Sequence, residues 1–146
     1  MLVIDDEPGV LDMIQGHFKH RGFEIYTADD GLAGVEICRK VKPDVILLDL
    51  KMKEMDGDEA VPQLKALVPE AVVFMISAYQ DERLHNRIKG LGIDAYFEKP
   101  VSILELQRAV ESALQRSNSW GLDVKKRLLG MQVFPLALFI KEVKGG

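Results

Sequence analysis

The sequence predicts an α/β protein with a doubly wound, five-stranded parallel sheet and five helices. Two observations carry this reading. Short apolar runs alternate with helix-length amphipathic segments five times along the chain, as βα units do. The runs are mostly continuous rather than alternating, which suits strands covered on both faces.

The elements follow in order. Leu2-Val3-Ile4 is the first strand, and a helix opens at Pro8 with Val10, Leu11, Ile14 and Phe18 at helical spacing. Phe23-Glu24-Ile25-Tyr26-Thr27 is the second strand, followed by a helix from Asp30, where Asp29-Asp30-Gly31 reads as a turn and cap. Val45-Ile46-Leu47-Leu48 is the third, with its helix after Asp56-Gly57. Pro62 predicts that this helix starts late or has an irregular first turn. Ala71-Val72-Val73-Phe74-Met75-Ile76 is the fourth strand, with a helix from near Asp81. Ala95-Tyr96-Phe97 is the fifth, and its helix from Ser102 carries Leu104, Val110 and Leu114, with Ala109 and Ala113 filling the same stripe.

Composition narrows the class. The 146 residues are 47% hydrophobic and 29% charged, an ordinary globular balance. The one cysteine, Cys38, cannot form an internal disulfide and reads as helix packing. No apolar run is long enough to span a bilayer and no secretory leader pattern opens the sequence, so a cytoplasmic location is expected and a membrane role is not. A net charge of -4 makes nucleic-acid contact a poor default.

The charge also divides the chain. Residues 1–116 hold 14 Lys and Arg against 21 Asp and Glu, whereas residues 117–146 hold 5 against 2. Polar Ser117-Asn118-Ser119 lies at the changeover, so the expected organisation is a domain over 1–116 and a C-terminal extension or linker stub over 117–146. Lys125-Lys126-Arg127 reads as a solvated basic face, and Met131 to Ile140, interrupted by Pro135, is too short for a membrane span. A stub or a segment packed on the domain is the preferred reading of the extension; a dimer contact or a membrane-surface segment are the others.

In a doubly wound sheet, the site is expected beyond the C-terminal ends of the strands. Asp5, Asp6 and Glu7 follow the first strand, Asp49 ends the third, Ser77 the fourth, and Glu98-Lys99-Pro100 the fifth. Carboxylates about 5 Å apart repel by about 3 kcal/mol per ionised pair at an effective dielectric of about 20, so such a cluster protonates or binds a cation. An all-oxygen pocket without His or Cys suits a hard cation, and Mg²⁺ is the obvious candidate. Metal and the Lys99 ammonium would offset an incoming phosphoryl group, Asp49 would be its nucleophile, and Ser77 would contact a phosphoryl oxygen. Taken alone, Asp5-Asp6 could cap a helix and Lys99 could be a loop lysine; their placement on matching strand ends favours the site. His17, His20 and His85 show no ligand clustering and read as surface or packing residues.

Ile4-Asp5-Asp6-Glu7-Pro8, Leu47-Leu48-Asp49-Leu50-Lys51-Met52, Met55-Asp56-Gly57, Ile76-Ser77-Ala78-Tyr79 and Tyr96-Phe97-Glu98-Lys99-Pro100 together resemble the response-regulator receiver domain of two-component signalling, over residues 1–116. The resemblance implies a flavodoxin-like strand order 2-1-3-4-5. It also implies a phosphorylation-controlled switch: a phosphoryl group passes from the phosphohistidine of a histidine kinase or histidine phosphotransfer protein onto Asp49, with Mg²⁺ required. By the same resemblance, Asp5, Asp6, Asp49 and the backbone carbonyl of Lys51 hold the metal. Ser77 and Lys99 hold the phosphoryl group, and Ser77 with Tyr96 forms the switch. Residues 80–116 form the output face and a possible homodimer surface. The resemblance further makes Lys51 and Tyr79 the pair that tunes dephosphorylation. Such a domain is not an enzyme on other substrates; it catalyses only its own phosphorylation and dephosphorylation.

Three departures accompany these matches. Lys53 stands where the family usually has proline, Ser77 replaces the commoner threonine, and only Met1 to Ile4 precede the acidic pair, which suggests a truncated start or reduced stability. None removes a chemical group. Two rival readings make different demands. A phosphatase of the haloacid-dehalogenase type usually needs a second aspartate two residues after the nucleophile, where this chain has Lys51, and a cap domain of which the sequence gives no sign. A non-phosphorylated interaction module would need none of the five chemical groups that are present.

Overall fold

A computed structural model describes residues 1–78 and 82–118. The elements are β1 (Leu2–Ile4), α1 (Pro8–Lys19), β2 (Tyr26–Ala28), α2 (Gly31–Val41), β3 (Val45–Asp49), α3 (Gly57–Leu67), β4 (Val72–Ser77), α4 (Glu82–Lys89), β5 (Ala95–Glu98) and α5 (Ile103–Asn118). All strand pairs are parallel, and the order across the sheet is β2-β1-β3-β4-β5.

Successive strand side chains point to opposite faces, so each continuous apolar run supplies two cores. Leu2, Ile4, Ile46, Leu48, Val73, Met75 and Tyr96 face Val35 and Cys38 of α2, Ala60, Val61 and Leu64 of α3, and Ile88 of α4. Val3, Val45, Leu47, Phe74, Ile76 and Phe97 face Ile14 and Phe18 of α1 and Leu106 and Val110 of α5. Phe74 and Phe97 meet edge to face, with ring centroids 5.4 Å apart. Helices on both faces leave the ends of the strands as the open part of the sheet.

Most elements fall where the sequence places them, with two corrections. β2 covers only Tyr26–Ala28 rather than Phe23 to Thr27. Leu2 lies opposite Tyr26, and the Met1 N-terminus still donates to the Glu24 carbonyl at 2.8 Å while the Met1 carbonyl accepts from the Tyr26 N–H at 2.9 Å, so backbone pairing reaches Ile25 but not Phe23; both side chains pack against the α1/α5 core. α3 starts at Gly57 with Pro62 inside it, not late. A proline there donates no bond to the Asp58 carbonyl, and the helix continues through it with Pro62 itself exposed.

α2 begins as expected, with Asp30 as N-cap accepting from the Ala33 N–H at 2.7 Å. α5 runs through Asn118, so it enters the polar triplet, while the rest of the C-terminal extension lies outside the described residues. Cys38 is fully buried in the core. His17 joins two helices, with its Nε2 2.8 Å from Gln107 Oε1. Among the described residues, no helix is long and apolar enough to cross a membrane.

Candidate functional site

Three strands deliver carboxylates and an ammonium to one point. Asp5 leaves β1 with its N–H bonded to the Ala28 carbonyl at 3.0 Å, which extends the β1–β2 ladder by one residue. Its Oδ1 accepts from the Glu7 N–H at 2.9 Å, turning the chain into α1. Asp49 is the last residue of β3, opposite Ile76 of β4, so Ser77 stands one step beyond it on the neighbouring strand. Lys99 follows β5, and its N–H bonds the Ser77 carbonyl at 2.9 Å. The Lys99–Pro100 peptide is cis.

Asp5, Asp6 and Asp49 each offer a carboxylate oxygen within 4.8 Å of the others. Asp5 and Asp49 are buried and Asp6 is half-buried. Lys99 Nζ donates to Asp5 Oδ2 at 2.8 Å and Glu7 Oε1 at 3.0 Å, and lies 3.5 Å from Asp49 Oδ2. Asp49 Oδ1 accepts from the Leu50 N–H at 2.8 Å. Burial and the neighbouring Asp5 charge raise the Asp49 carboxyl from 3.8 to about 6, although Lys99 and the Leu50 N–H pull the other way. Burial alone would lower the Lys99 ammonium; its bonds to Asp5 and Glu7, with Asp49 close by, outweigh that and hold it above its ordinary value. The pocket is thus short of positive charge. Its donor set is all oxygen, and a hard divalent cation such as Mg²⁺ fits it.

The loop after Asp49 is fixed from two sides by glycines. A Cβ on Gly57 would meet the Asp49 carbonyl oxygen at 2.3 Å, and the Gly57 N–H bonds the Leu50 carbonyl at 2.7 Å. A Cβ on Gly31, at the start of α2, would meet the Met55 carbonyl oxygen at 2.6 Å. Asp56 closes the loop on itself, accepting from the Met52 N–H at 2.9 Å and from Lys51 Nζ at 3.3 Å. The Lys51 ammonium is therefore held by Asp56, and its side chain is half exposed.

Ser77 and Tyr96 are both buried, and their side chains share a hydrogen bond. Burial raises the Tyr96 phenol and this bond opposes the rise. Tyr79 lies outside the described residues. Of the residues singled out from sequence, Asp5, Asp6, Asp49, Ser77 and Lys99 stand together at the strand ends. In the sequence Glu7 is only the last of the acidic run, with no role of its own; in the structure it is a direct partner of Lys99. The contact of Gly31 with the site loop was also missed, because nothing in a turn motif signals a distant backbone.

Comparison with known proteins agrees with this geometry. The family model for the response regulator receiver domain matches residues 1–111. Sporulation initiation phosphotransferase F of Bacillus subtilis is 32% identical over 114 residues, covering 78% of this chain and 92% of that protein. The probable transcriptional regulatory protein TcrX of Mycobacterium tuberculosis is 31% identical over 131 residues, 88% of this chain but 55% of its own length. The chain thus spans about half the length of several curated relatives that it matches.

Among solved structures, a CheY-like receiver domain protein from Methanospirillum hungatei superposes with a TM-score of 0.78 at 24% identity, covering 81% of this chain and 94% of that one. A chain of the CheX-CheY-BeF3-Mg²⁺ complex from Borrelia burgdorferi does so with a TM-score of 0.71 at 28% identity, covering 77% and 87%.

Proposed function

The chain belongs to the response-regulator receiver domain family, and on that footing we propose that it is a signalling switch set by phosphorylation of Asp49. The observation that carries this reading is the buried Asp49 carboxylate at the end of β3, within reach of Asp5, Asp6 and the Lys99 ammonium at once.

An Asp49 oxygen attacks phosphorus as the P–N bond of a donor phosphohistidine breaks, and the electron pair leaves with the imidazole nitrogen. Lys99 holds phosphoryl oxygens, and Ser77 contacts another from the adjacent strand end. Asp5, Asp6, Asp49 and the Lys51 backbone carbonyl would hold Mg²⁺, which supplies charge to offset the carboxylates and the phosphoryl group. That a similar chain was crystallised in a complex with BeF3 and Mg²⁺ supports the assignment.

The readout follows from the Ser77–Tyr96 hydrogen bond. A phosphoryl group that draws Ser77 toward Asp49 changes the partner of Tyr96 and so the surface of α4, β5 and α5. Residues 80–116 are the output face, open to a target or to a second copy of the chain; nucleic-acid contact is not expected of this chain. The domain catalyses its own phosphorylation and dephosphorylation only, with a histidine kinase or histidine phosphotransfer protein as donor, in the cytoplasm. Residues 1–116 carry this function, and 117–146 are a C-terminal extension or linker stub of unknown role. Metal dependence tests the reading: EDTA blocks labelling by acetyl phosphate and excess Mg²⁺ restores it, whereas labelling that persists in EDTA contradicts the assignment.

A further inference from the structure

Lys99 has three carboxylate neighbours, and the one that the proposed chemistry does not use is Glu7. Lys99 Nζ lies 2.8 Å from Asp5 Oδ2 and 3.0 Å from Glu7 Oε1, but 3.5 Å from Asp49 Oδ2. The ammonium is thus held closer to the β1 end of the pocket than to the residue on which a phosphoryl group would form. Its own side chain is 14% exposed, whereas that of Glu7 is 62% exposed, so the tie runs from the pocket outward to its rim. The backbone of Glu7 is fixed, which keeps its side chain at the rim. Glu7 is the N-cap residue of α1, followed by Pro8, and its N–H is bonded to Asp5 Oδ1 at 2.9 Å.

We infer that Glu7 is a positioning residue that parks the Lys99 ammonium away from Asp49 and competes with the phosphoryl group for it. The inference rests on the phospho-acceptor reading of Asp49. Three N–H bonds are all that an ammonium can make, and phosphoryl oxygens gain one only if a carboxylate yields it. Asp5 is buried and, on the proposed reading, occupied by the metal as well; Glu7 at the rim is the partner that water can replace most readily. Glu7 therefore lowers the rate at which Asp49 is phosphorylated, and its removal raises it.

The test is the rate at which phosphoramidate phosphorylates the full chain at saturating Mg²⁺, followed by intact mass. In this reaction the P–N bond breaks, the P–O bond to Asp49 forms, and ammonia leaves with the electron pair. Glu7→Gln keeps the shape and removes the charge; the expected gain in rate is about two- to fivefold, the span of a partly exposed ion pair. Glu7→Asp keeps the charge at the rim but withdraws its oxygens by one methylene. A contact with Lys99 predicts that Glu7→Asp is accelerated like Glu7→Gln, whereas simple repulsion of the incoming anion predicts that it behaves like wild type. An unchanged or slower rate in Glu7→Gln, or a wild-type rate in Glu7→Asp, overturns the inference. A wild type that takes up no phosphate overturns the phospho-acceptor reading itself, and the role of Glu7 with it.

Discussion

Gly57 is packed directly on the backbone of Asp49: a Cβ on it would lie 2.3 Å from the Asp49 carbonyl oxygen and 3.0 Å from Leu50 Cα. The first residue of α3 thus holds the end of β3 in place, and only a hydrogen fits between them. Gly57→Ala must push backbone against backbone, with no flexible side chain to yield. The expected cost is about 3 kcal/mol, and Asp49 is displaced with it. Gly16→Ala is the matched control, since a Cβ there meets nothing within 4 Å on an exposed helix face. That variant gains about 0.5–1 kcal/mol. Urea unfolding of both variants checks the pair of signs.

The second prediction follows from the Asp49 carboxyl, raised from 3.8 to about 6 chiefly by burial. A group whose folded pKa is raised contributes stability below its unfolded pKa and loses it as pH rises through the folded one. Between about pH 4 and about pH 7.5, the metal-free protein therefore loses on the order of 3 kcal/mol through this group. Asp49→Asn escapes the loss: it is more stable than wild type at about pH 7.5 in EDTA and close to it at about pH 4. Added Mg²⁺ narrows the gap. Denaturant unfolding at the two pH values measures it, and a variant less stable than wild type at the higher pH contradicts the electrostatic account.

The third prediction separates phosphorylation from readout. Tyr96→Phe removes the phenol from its bond with Ser77 but no group from the acidic pocket. Asp49 is still labelled, while the amide shifts that beryllofluoride produces across residues 80–116 shrink. Loss of one such bond costs about 1 kcal/mol. Shifts confined to the acidic pocket in the wild type speak against a switch.

The fourth concerns the lifetime of the acyl phosphate. Hydrolysis needs a water in line with the breaking bond, and Lys51 and Tyr79 flank that approach by their place in the sequence. The Lys51 ammonium is held by Asp56 at 3.3 Å, so shielding by Lys51 falls to its stem rather than to its charge. Wild-type phosphate persists beyond seconds, and Lys51→Asn, Tyr79→Ala and the double variant each decay faster. A barrier lower by about 1.4 kcal/mol is a tenfold rate increase. Unchanged decay in all three removes the shielding idea.

The fold was legible because β1, β3, β4 and β5 bury both faces, so the apolar run of each ends abruptly at the polar residue that matters. Leu48 gives way to Asp49, Ile76 to Ser77 and Phe97 to Glu98-Lys99. The start of β2 was not legible in Phe23 to Thr27, because pairing reaches only as far as Ile25 opposite Met1, which depends on the partner strand and not on the pattern of β2 itself. Of the two readings of Pro62, the late start fails: the proline sits inside α3 on an exposed position, a placement its residue type does not disclose. In the site, the residue types and their strand ends were visible. The partners of Lys99 and the contact of Gly31 with Met55 depend on chain segments remote in sequence, and only the fold brings those together; the contact of Gly57 with Asp49 depends on how the short loop between them folds back.

The central claim, that Asp49 is the residue phosphorylated, is tested most directly by intact mass after incubation with acetyl phosphate and Mg²⁺. The account predicts a single added phosphoryl group in the wild type and none in Asp49→Asn. Asp49→Asn that still takes up phosphate, or a wild type that takes up none, contradicts it.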